Sequence, residues 1–244
     1  MPVFFIHSQN VVDGVVTITD PLLTHLSKSL RAKRGDALIF NDDQGHRYHT
    51  TVENITKHTL QATIHQVENP PLSTRPPLIL AQALLKGEKM GWVIQKATEL
   101  GVAAIVPLIT ERVILKFSGH QGETHHARWE RIALEAAQQS ERWTLPEIIP
   151  IQTFQQFLEY PRQHPTIFMA ERQEGASLLR LPCATEQPGA EVTVIIGPEG
   201  GWSPEEVEAA QSHQYSFASF GQEILRAETA SLAALAILQA RFTT

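Results

Sequence analysis

The chain has 244 residues, 42% of them hydrophobic, with 20 Lys and Arg against 26 Asp and Glu, for a formal net charge of −6. This length supports one large domain or two modest ones, and the acidic balance argues against indiscriminate polyanion binding. One cysteine, Cys183, excludes an internal disulfide, and the lack of a long apolar run or a leader-like start predicts a soluble, cytoplasmic protein with no membrane partner.

Residues 1–72 are predicted to form a small antiparallel β-domain. Short alternating runs are separated by turn-like segments: VVTIT, DALIF, HRYHTTV and LQATIHQV. Only PLLTHLSKSLRAKRGD looks helical in this part. The following ENPPLSTRPP has four prolines in ten residues, which disfavour both a helix and a central strand. We therefore place a linker there and a second domain at 73–244.

The second domain alternates between strand-like and helix-like segments. Strands are predicted at PLILAQAL, VAAIVPLIT, TIFMA, EVTVIIG and YSFASFG, and helices at EKMGWVIQKATELG, ARWERIALEAAQQSER, PEEVEAAQSH and TASLAALAILQARF. In the first helix apolar residues recur at helical spacing, and Gly101 is placed to end it. This alternation predicts an α/β domain with a mostly parallel sheet covered by helices on both faces.

The segment VIIGPEGGWSPEE, residues 194–206, places a glycine-rich turn between an apolar strand and a helix. Ser203, Pro204 and Glu206 form a good helix start with a capping box. One interpretation is a tight, well-capped turn with only a structural role. The other is a ligand loop, since glycines at strand ends let the backbone approach a bound molecule.

A second loop, SFGQEILRAETASLAAL, also lies between an apolar strand and a helix. It is expected to bury Arg226 and Glu228 among apolar neighbours, and buried charges are usually paired or functional. Both loops follow strands, and open α/β sheets bind small molecules at the carboxyl ends of their strands.

The residue types in these loops restrict the class of ligand. The motifs of a Walker phosphate loop and of a dinucleotide fold are both absent, and Glu199 would oppose a polyphosphate. A cofactor with positive charge, such as S-adenosylmethionine, would tolerate this carboxylate.

Five segments in order resemble the bacterial small-subunit ribosomal RNA uridine-N3 methyltransferases: KGEKMGWVIQKATELGV, PLITERV, EAAQQSER, IGPEGGWSPEE and ILRAETA. The amino-terminal HLSKSLRAKRGD is similar to the PUA-like RNA-binding domain of that family. The chain departs from the family pattern at Val3, Val113 and Glu223, none of which lies in the glycine turn.

The resemblance implies a carboxy-terminal SPOUT-like α/β domain with a deep trefoil knot, behind a β-barrel-like PUA-like domain. It also implies a homodimer that methylates N3 of uridine 1498 in 16S ribosomal RNA, on the assembled small subunit, with S-adenosylmethionine as cofactor. By family position the cofactor-binding residues are Met169, Ala170, Glu171, Gly197, Pro198, Glu199, Gly200, Gly201, Phe220, Gly221, Ile224, Leu225, Arg226, Glu228, Thr229 and Ala230.

The same resemblance suggests catalytic and RNA-binding residues. Arg226 would stabilise charge on the uracil oxygens, and Glu228 is a candidate base, although the pair could instead be a structural ion pair. RNA contacts are expected from Lys28, Arg31, Lys33, Arg34, Arg112, Gln139 and Arg142. The first four could instead form a solvated helix face, and the last three could fix helices.

Two alternative functions stay open at this point. One is a catalytically silent RNA-binding or ribosome-assembly factor, and the other is a methyltransferase of the same class that acts on another RNA. Six of the eleven histidines lie within residues 1–72, but dispersed surface histidines explain them better than a metal site, so no metal is expected.

Overall fold

The computed structural model describes residues 2–72, 75–113, 121–160, 164–170, 175–181 and 190–242. The chain divides into two compact units, one made of Met1–Leu72 with Ala137–Thr144, the other of Ser73–Ala136 with Leu145–Thr244. The predicted division after residue 72 therefore has one exception. The segment 137–144, assigned from sequence to the second domain, belongs to the first unit.

The first unit contains one mixed, barrel-like sheet. Its strands are β1 (Val3–Phe5), β2 (Val11–Val12), β3 (Val15–Ile18), β4 (Ala37–Asn41), β5 (Arg47–Ile55) and β6 (Leu60–Glu68). They pair in the order β1-β4-β5-β6-β3-β2, antiparallel throughout except for the parallel pair β1 and β4. Alternate residues such as Val16, Phe40 and Leu60 form the core, as expected for strands with one buried face.

The helical segment of the first unit is shorter than predicted. It comprises α1 (Leu22–Thr24) and a π-helical turn at His25–Ser29. The expectation of a helix through Asp36 is wrong, because the chain leaves the helical conformation at Arg31, whose φ is 55°. Lys28 is therefore the one member of the predicted basic cluster that lies in the helix, and the cluster is not a helix face.

The second unit contains an eight-stranded sheet in which all pairs are parallel. The strands are β7 (Leu78–Ala83), β8 (Ala104–Ile109), β9 (Glu147–Ile148), β10 (Gln152–Thr153), β11 (Thr166–Met169), β12 (Ala176–Ser177), β13 (Val192–Ile196) and β14 (Ser216–Ser219). The helices are α2 (Lys89–Glu99), α3 (Gln121–Gln139, which ends in the first unit), α4 (Phe154–Glu159), α5 (Pro204–Ser212) and α6 (Ala227–Arg241).

Helices cover both faces of this sheet, as the alternating segments predict. All five residues of β13 are buried, and its successive side chains point into two different cores. Val194 packs in the core that contains residues of α2, α3 and α6, whereas Ile195 packs in the core of α4 and α5. A strand of this kind is apolar throughout, because neither face is solvated.

The strand order β10-β8-β7-β13-β11-β14-β12, with β9 also paired to β8, positions the candidate site. Since β13, β11 and β14 are adjacent and parallel, the loops that follow Ile196, Met169 and Ser219 leave the sheet at one edge. Within the described ranges, no helix is both long and apolar enough to cross a bilayer.

Candidate functional site

A cavity of about 520 Å³ lies at this edge of the sheet. Its walls come from the end of β11, the glycine turn after β13, the loop after β14 and the first residues of α2 and α6. The lining residues are Lys89, Met169, Ala170, Ile196, Gly197, Pro198, Glu199, Gly200, Gly201, Trp202, Phe220, Glu223, Ile224, Leu225, Arg226, Ala227 and Ala230. The two loops identified from sequence therefore meet at one cavity.

The glycine turn needs glycine at two positions for different reasons. A Cβ atom on Gly197 would lie 2.9 Å from Cε2 of Trp202, so a larger residue would displace that ring. Gly201 has φ of 71°, a left-handed conformation that other residues rarely adopt. The capping box predicted next to this turn is present, since the Ser203 and Glu206 side chains each accept the other's backbone N–H.

Trp202 connects the glycine turn to the end of β11. Its side chain is 7% exposed, and its indole N–H donates to the carbonyl of Met169 at 3.1 Å. The ring lies 4.5 Å from the ring of Phe168 and 5.4 Å from that of Phe154, measured between centroids. Trp202 was not among the predicted site residues, although its place directly after the turn is a sequence signal.

The residues that follow β8 also contact the glycine turn and the helix after it. The Arg112 guanidinium donates to the carbonyl of Gly200 at 3.2 Å, and the backbone N–H of Glu111 donates to Glu206 at 2.8 Å. Arg112 was predicted as an RNA contact. In the structure it is exposed and contacts the glycine turn, so this contact favours a structural role over an RNA contact, although the element that it supports is a turn and not a helix.

Three charged side chains meet beside the cavity. The Lys89 ammonium lies 3.1 Å from Oε1 of Glu199 and 3.6 Å from Oε1 of Glu228. Burial raises the pKa of Glu199. The hydrogen bonds from Lys89, from its own backbone N–H and from the Lys86 N–H lower it, and together they outweigh burial, so the pKa of Glu199 lies below its ordinary value. The bond to Glu199 in turn raises the pKa of Lys89. Glu199 and Lys89 are therefore both charged at neutral pH.

Arg226 lies at the rim of the cavity, and its burial was wrongly expected. The residue is exposed, like its neighbour Ile224, whose exposed fraction is 58%. With the residues that the structure describes, Arg226 forms neither an ion pair nor a side-chain hydrogen bond. The proposed structural pair of Arg226 with Glu228 does not form, because Glu228 faces Lys89 instead.

Most, but not all, of the predicted cofactor residues line the cavity. Glu228 and Thr229 do not, and Gly221 lines a neighbouring cavity of about 400 Å³. Glu171 lies outside the described residues. Sequence reasoning missed Lys89, Ile196, Trp202, Glu223 and Ala227.

The other predicted RNA contacts all belong to the first unit. Lys28, Arg31, Lys33 and Arg34 are exposed, and none of them forms an ion pair with the described part of the chain. Gln139 is exposed at the end of α3, and Arg142 follows it in the segment 137–144. Burial lowers the pKa of Arg142 to about 10.

Contacts with β4 and β5 hold the segment that carries Arg142. The Asn41 amide donates to the carbonyl of Arg142 at 2.7 Å, and the Arg47 guanidinium donates to the carbonyl of Glu141 at 2.9 Å. The same guanidinium stacks over Trp143, 3.9 Å from the ring centroid. These contacts explain why 137–144 belongs to the first unit although α3 begins in the second.

No group of three His, Cys, Asp or Glu side chains within the described ranges is placed to hold a metal ion.

Comparisons with known proteins agree with this architecture. A family model for the RNA methyltransferase domain matches residues 73–239, and one for the RNA methyltransferase PUA domain matches residues 18–64. The chain is 34% identical over 235 residues to ribosomal RNA small subunit methyltransferase E of Synechocystis sp., covering 95% of this chain and 75% of that protein. For the Bacillus subtilis protein of the same name the identity is 28%, with coverage of 91% and 88%.

Solved structures show the same fold. Ribosomal RNA small subunit methyltransferase E from Neisseria gonorrhoeae, bound to S-adenosyl methionine, superimposes with a TM-score of 0.86 at 28% identity, over 98% of this chain and 97% of that one. A Legionella pneumophila protein in complex with the cofactor SAM gives a TM-score of 0.86 at 30% identity, over 98% and 96%. The resemblance inferred from the five motifs is thus confirmed, and the chain belongs to the ribosomal RNA small subunit methyltransferase E family.

Proposed function

We propose that this protein transfers a methyl group from S-adenosylmethionine to N3 of one uridine in 16S ribosomal RNA, the uridine at position 1498, on the assembled small subunit. The observation that supports it most is the cavity in which the loops after β11, β13 and β14 meet, with an arginine at its rim that forms no ion pair with the described residues. Because the proposed substrate is part of the ribosome, the protein would act in the cytoplasm.

The cavity fits a cofactor of this chemistry. Met169, Ile196 and Leu225 supply apolar walls for the adenine ring and the methionine chain, and the glycine turn leaves backbone groups accessible. Two carboxylates and one ammonium beside the cavity sum to one negative charge, and Oε2 of Glu228 is buried without a hydrogen bond from the described residues. A cation is the ligand that this charge favours. When bound, S-adenosylmethionine supplies an electrophilic methyl group.

The residues at the rim then act on the uracil ring. N3 becomes nucleophilic as it loses its imide proton to solvent water at the exposed rim, and the charge that develops spreads to the two ring oxygens. Arg226 is exposed there, carries a permanent positive charge and presents several N–H donors, so it is suited to stabilise that charge. Glu228 does not line the cavity and faces Lys89, which favours a role in the charge of the site over a role as base.

The direct test uses small subunits from cells that lack this protein. Purified protein and labelled S-adenosylmethionine are added, and mass spectrometry maps the modified nucleotide. We expect one equivalent of N3-methyluridine at one position. Methylation of a different nucleotide would support a same-class enzyme with another target, and RNA binding without transfer to subunits or free RNA would identify a silent factor.

The basic cluster Lys28, Arg31, Lys33 and Arg34 is proposed to contact RNA phosphates. Replacing all four by glutamine should make the slope of log K against log salt for RNA binding shallower by about 2–4, since each phosphate contact contributes roughly 0.7–0.9. Lys57, exposed in the turn between β5 and β6, gives a control variant with an unchanged slope. An unchanged slope in the fourfold variant would mean that these residues are only solvated.

The trefoil knot and the homodimer implied by the motifs stay predictions of the same proposal. In the described residues of α6, Ser231, Ala234, Leu235 and Leu238 form a stripe buried within one chain, so this stripe belongs to the core and is not free for a partner. Light scattering of the protein in solution tests the dimer.

A further inference from the structure

Lys89 lies at the N-terminus of its helix, where a positive charge is unfavourable. It is the first residue of α2, and the first turn of that helix carries no acidic residue. A cation at a helix N-terminus is unfavourable, because the backbone dipole is positive there. Its ammonium instead reaches Glu199 in the glycine turn and Glu228 in α6, elements that follow it by more than 100 residues.

The three groups carry a definite net charge next to the cavity. Glu199 and Glu228 contribute two negative charges, and Lys89 offsets one of them. S-Adenosylmethionine carries one net positive charge at neutral pH, from its sulfonium, ammonium and carboxylate groups. The demethylated product S-adenosylhomocysteine has lost the sulfonium charge and is neutral overall. The net charge of this cluster therefore affects the two ligands unequally.

We infer that Lys89 sets the relative affinity of this site for S-adenosylmethionine and its demethylated product, by offsetting one of the two carboxylates beside the cavity. This inference rests on the proposed function, because it assumes that the cofactor occupies this cavity. Without Lys89 the carboxylates would hold the cationic cofactor more tightly relative to the neutral product. The ammonium thus limits how strongly the site stabilises the sulfonium before its charge is lost in the reaction.

The change in the ratio of the two dissociation constants distinguishes this role of Lys89 from a structural one. If Lys89 merely joined the two loops, its removal would weaken binding of both ligands by a similar factor. If it sets the charge, the ratio of the two dissociation constants must change, and in opposite directions for Lys89→Met and Glu228→Gln. Lys89→Arg keeps the charge and should keep the wild-type ratio.

The experiment is isothermal titration of the full-length variants with S-adenosylmethionine and with S-adenosylhomocysteine. We expect Lys89→Met to shift the ratio about three- to tenfold towards S-adenosylmethionine, as for one unit charge acting over several ångströms in a partly solvated site. Glu228→Gln should shift it the other way. Lys96→Met is the matched control, because Lys96 lies on the same helix and, among the described residues, pairs with its neighbour Glu99 at 2.7 Å.

The outcomes are distinguishable. An unchanged ratio in Lys89→Met, with or without a common loss of affinity, would overturn this inference and leave the proposed function intact. A shift towards the product would also overturn it. Failure of the wild-type protein to bind either ligand would contradict the proposed function, and this inference with it. Circular dichroism confirms folding of each variant, and Lys89→Gln repeats the test if Lys89→Met does not fold.

Discussion

Replacement of Arg226 by alanine is expected to lower methyl transfer to small ribosomal subunits by about 10²–10³-fold, with the affinity for S-adenosylmethionine close to that of the wild type. The guanidinium is exposed at the cavity rim, so its removal breaks no ion pair and no side-chain hydrogen bond with the described residues. What is lost is a charged donor for the oxygens of the uracil anion. Single-turnover transfer and a cofactor titration on the same protein measure the two quantities.

Two further variants make this test specific. Arg226→Lys keeps the charge but loses the planar arrangement of donors, so an intermediate rate is expected. Arg131→Ala controls for loss of a surface arginine, because Arg131 is exposed on α3 and pairs with Glu135 at 2.9 Å. Full transfer by Arg226→Ala with normal cofactor binding would remove Arg226 from the mechanism. Equal losses in cofactor affinity and transfer would make it a cofactor ligand instead.

The elements that could be predicted from sequence are those with a strong local pattern. The buried run of β13 and the periodic face of α2 each contain their own signal, and Gly101, with φ of 82°, follows α2 as predicted. The two-residue strands β2, β9, β10 and β12 were missed, because strands that short have no periodicity and exist only through pairing with β3, β8 or β14. The six-residue helix α4 was missed as well.

In the candidate site, too, the parts with a local sequence signal were predicted and the others were missed. The glycine turn and the loop before α6 were found because glycines and charges at strand ends are visible locally. Lys89 was missed, because its partners are distant in sequence and meet it only when the parallel strands are assembled. One signal was available, namely a lysine at a helix N-terminus that has no partner in the first turn.

The misjudged burial of Arg226 and the misassigned segment 137–144 share a physical cause. Apolar neighbours in sequence do not bury a residue when the loop itself faces solvent, as the exposure of Ile224 shows. Similarly, nothing within 137–144 indicates that Asn41 and Arg47 will hold it, since those contacts span about 100 residues. Tertiary structure decided both cases, through the orientation of a loop in the first and through pairing across about 100 residues in the second. One sequence without its fold does not contain that information in readable form.

Replacement of Trp202 by alanine is expected to have the largest effect on stability, a loss of about 3–5 kcal/mol in the free energy of unfolding of the second unit. The side chain is buried between Phe154 and Phe168, and the surrounding β-strands and α-helices leave little room for the core to collapse around the cavity. The hydrogen bond from its indole N–H to the carbonyl of Met169 would also be lost, so this link between the glycine turn and the end of β11 would be missing. Affinity for S-adenosylmethionine should therefore fall together with stability.

Trp202→Phe separates packing from the hydrogen bond. It keeps an aromatic ring but leaves the carbonyl of Met169 without its donor, which should cost about 1–3 kcal/mol. Trp92→Ala is the control for loss of a tryptophan, because Trp92 is 43% exposed on α2. Hydrogen exchange of peptides from β11 and β13 reports on the second unit alone, since two units need not unfold together. A Trp202→Ala protein with wild-type protection in β11 and unaltered cofactor affinity would show that the glycine turn keeps its shape without this indole.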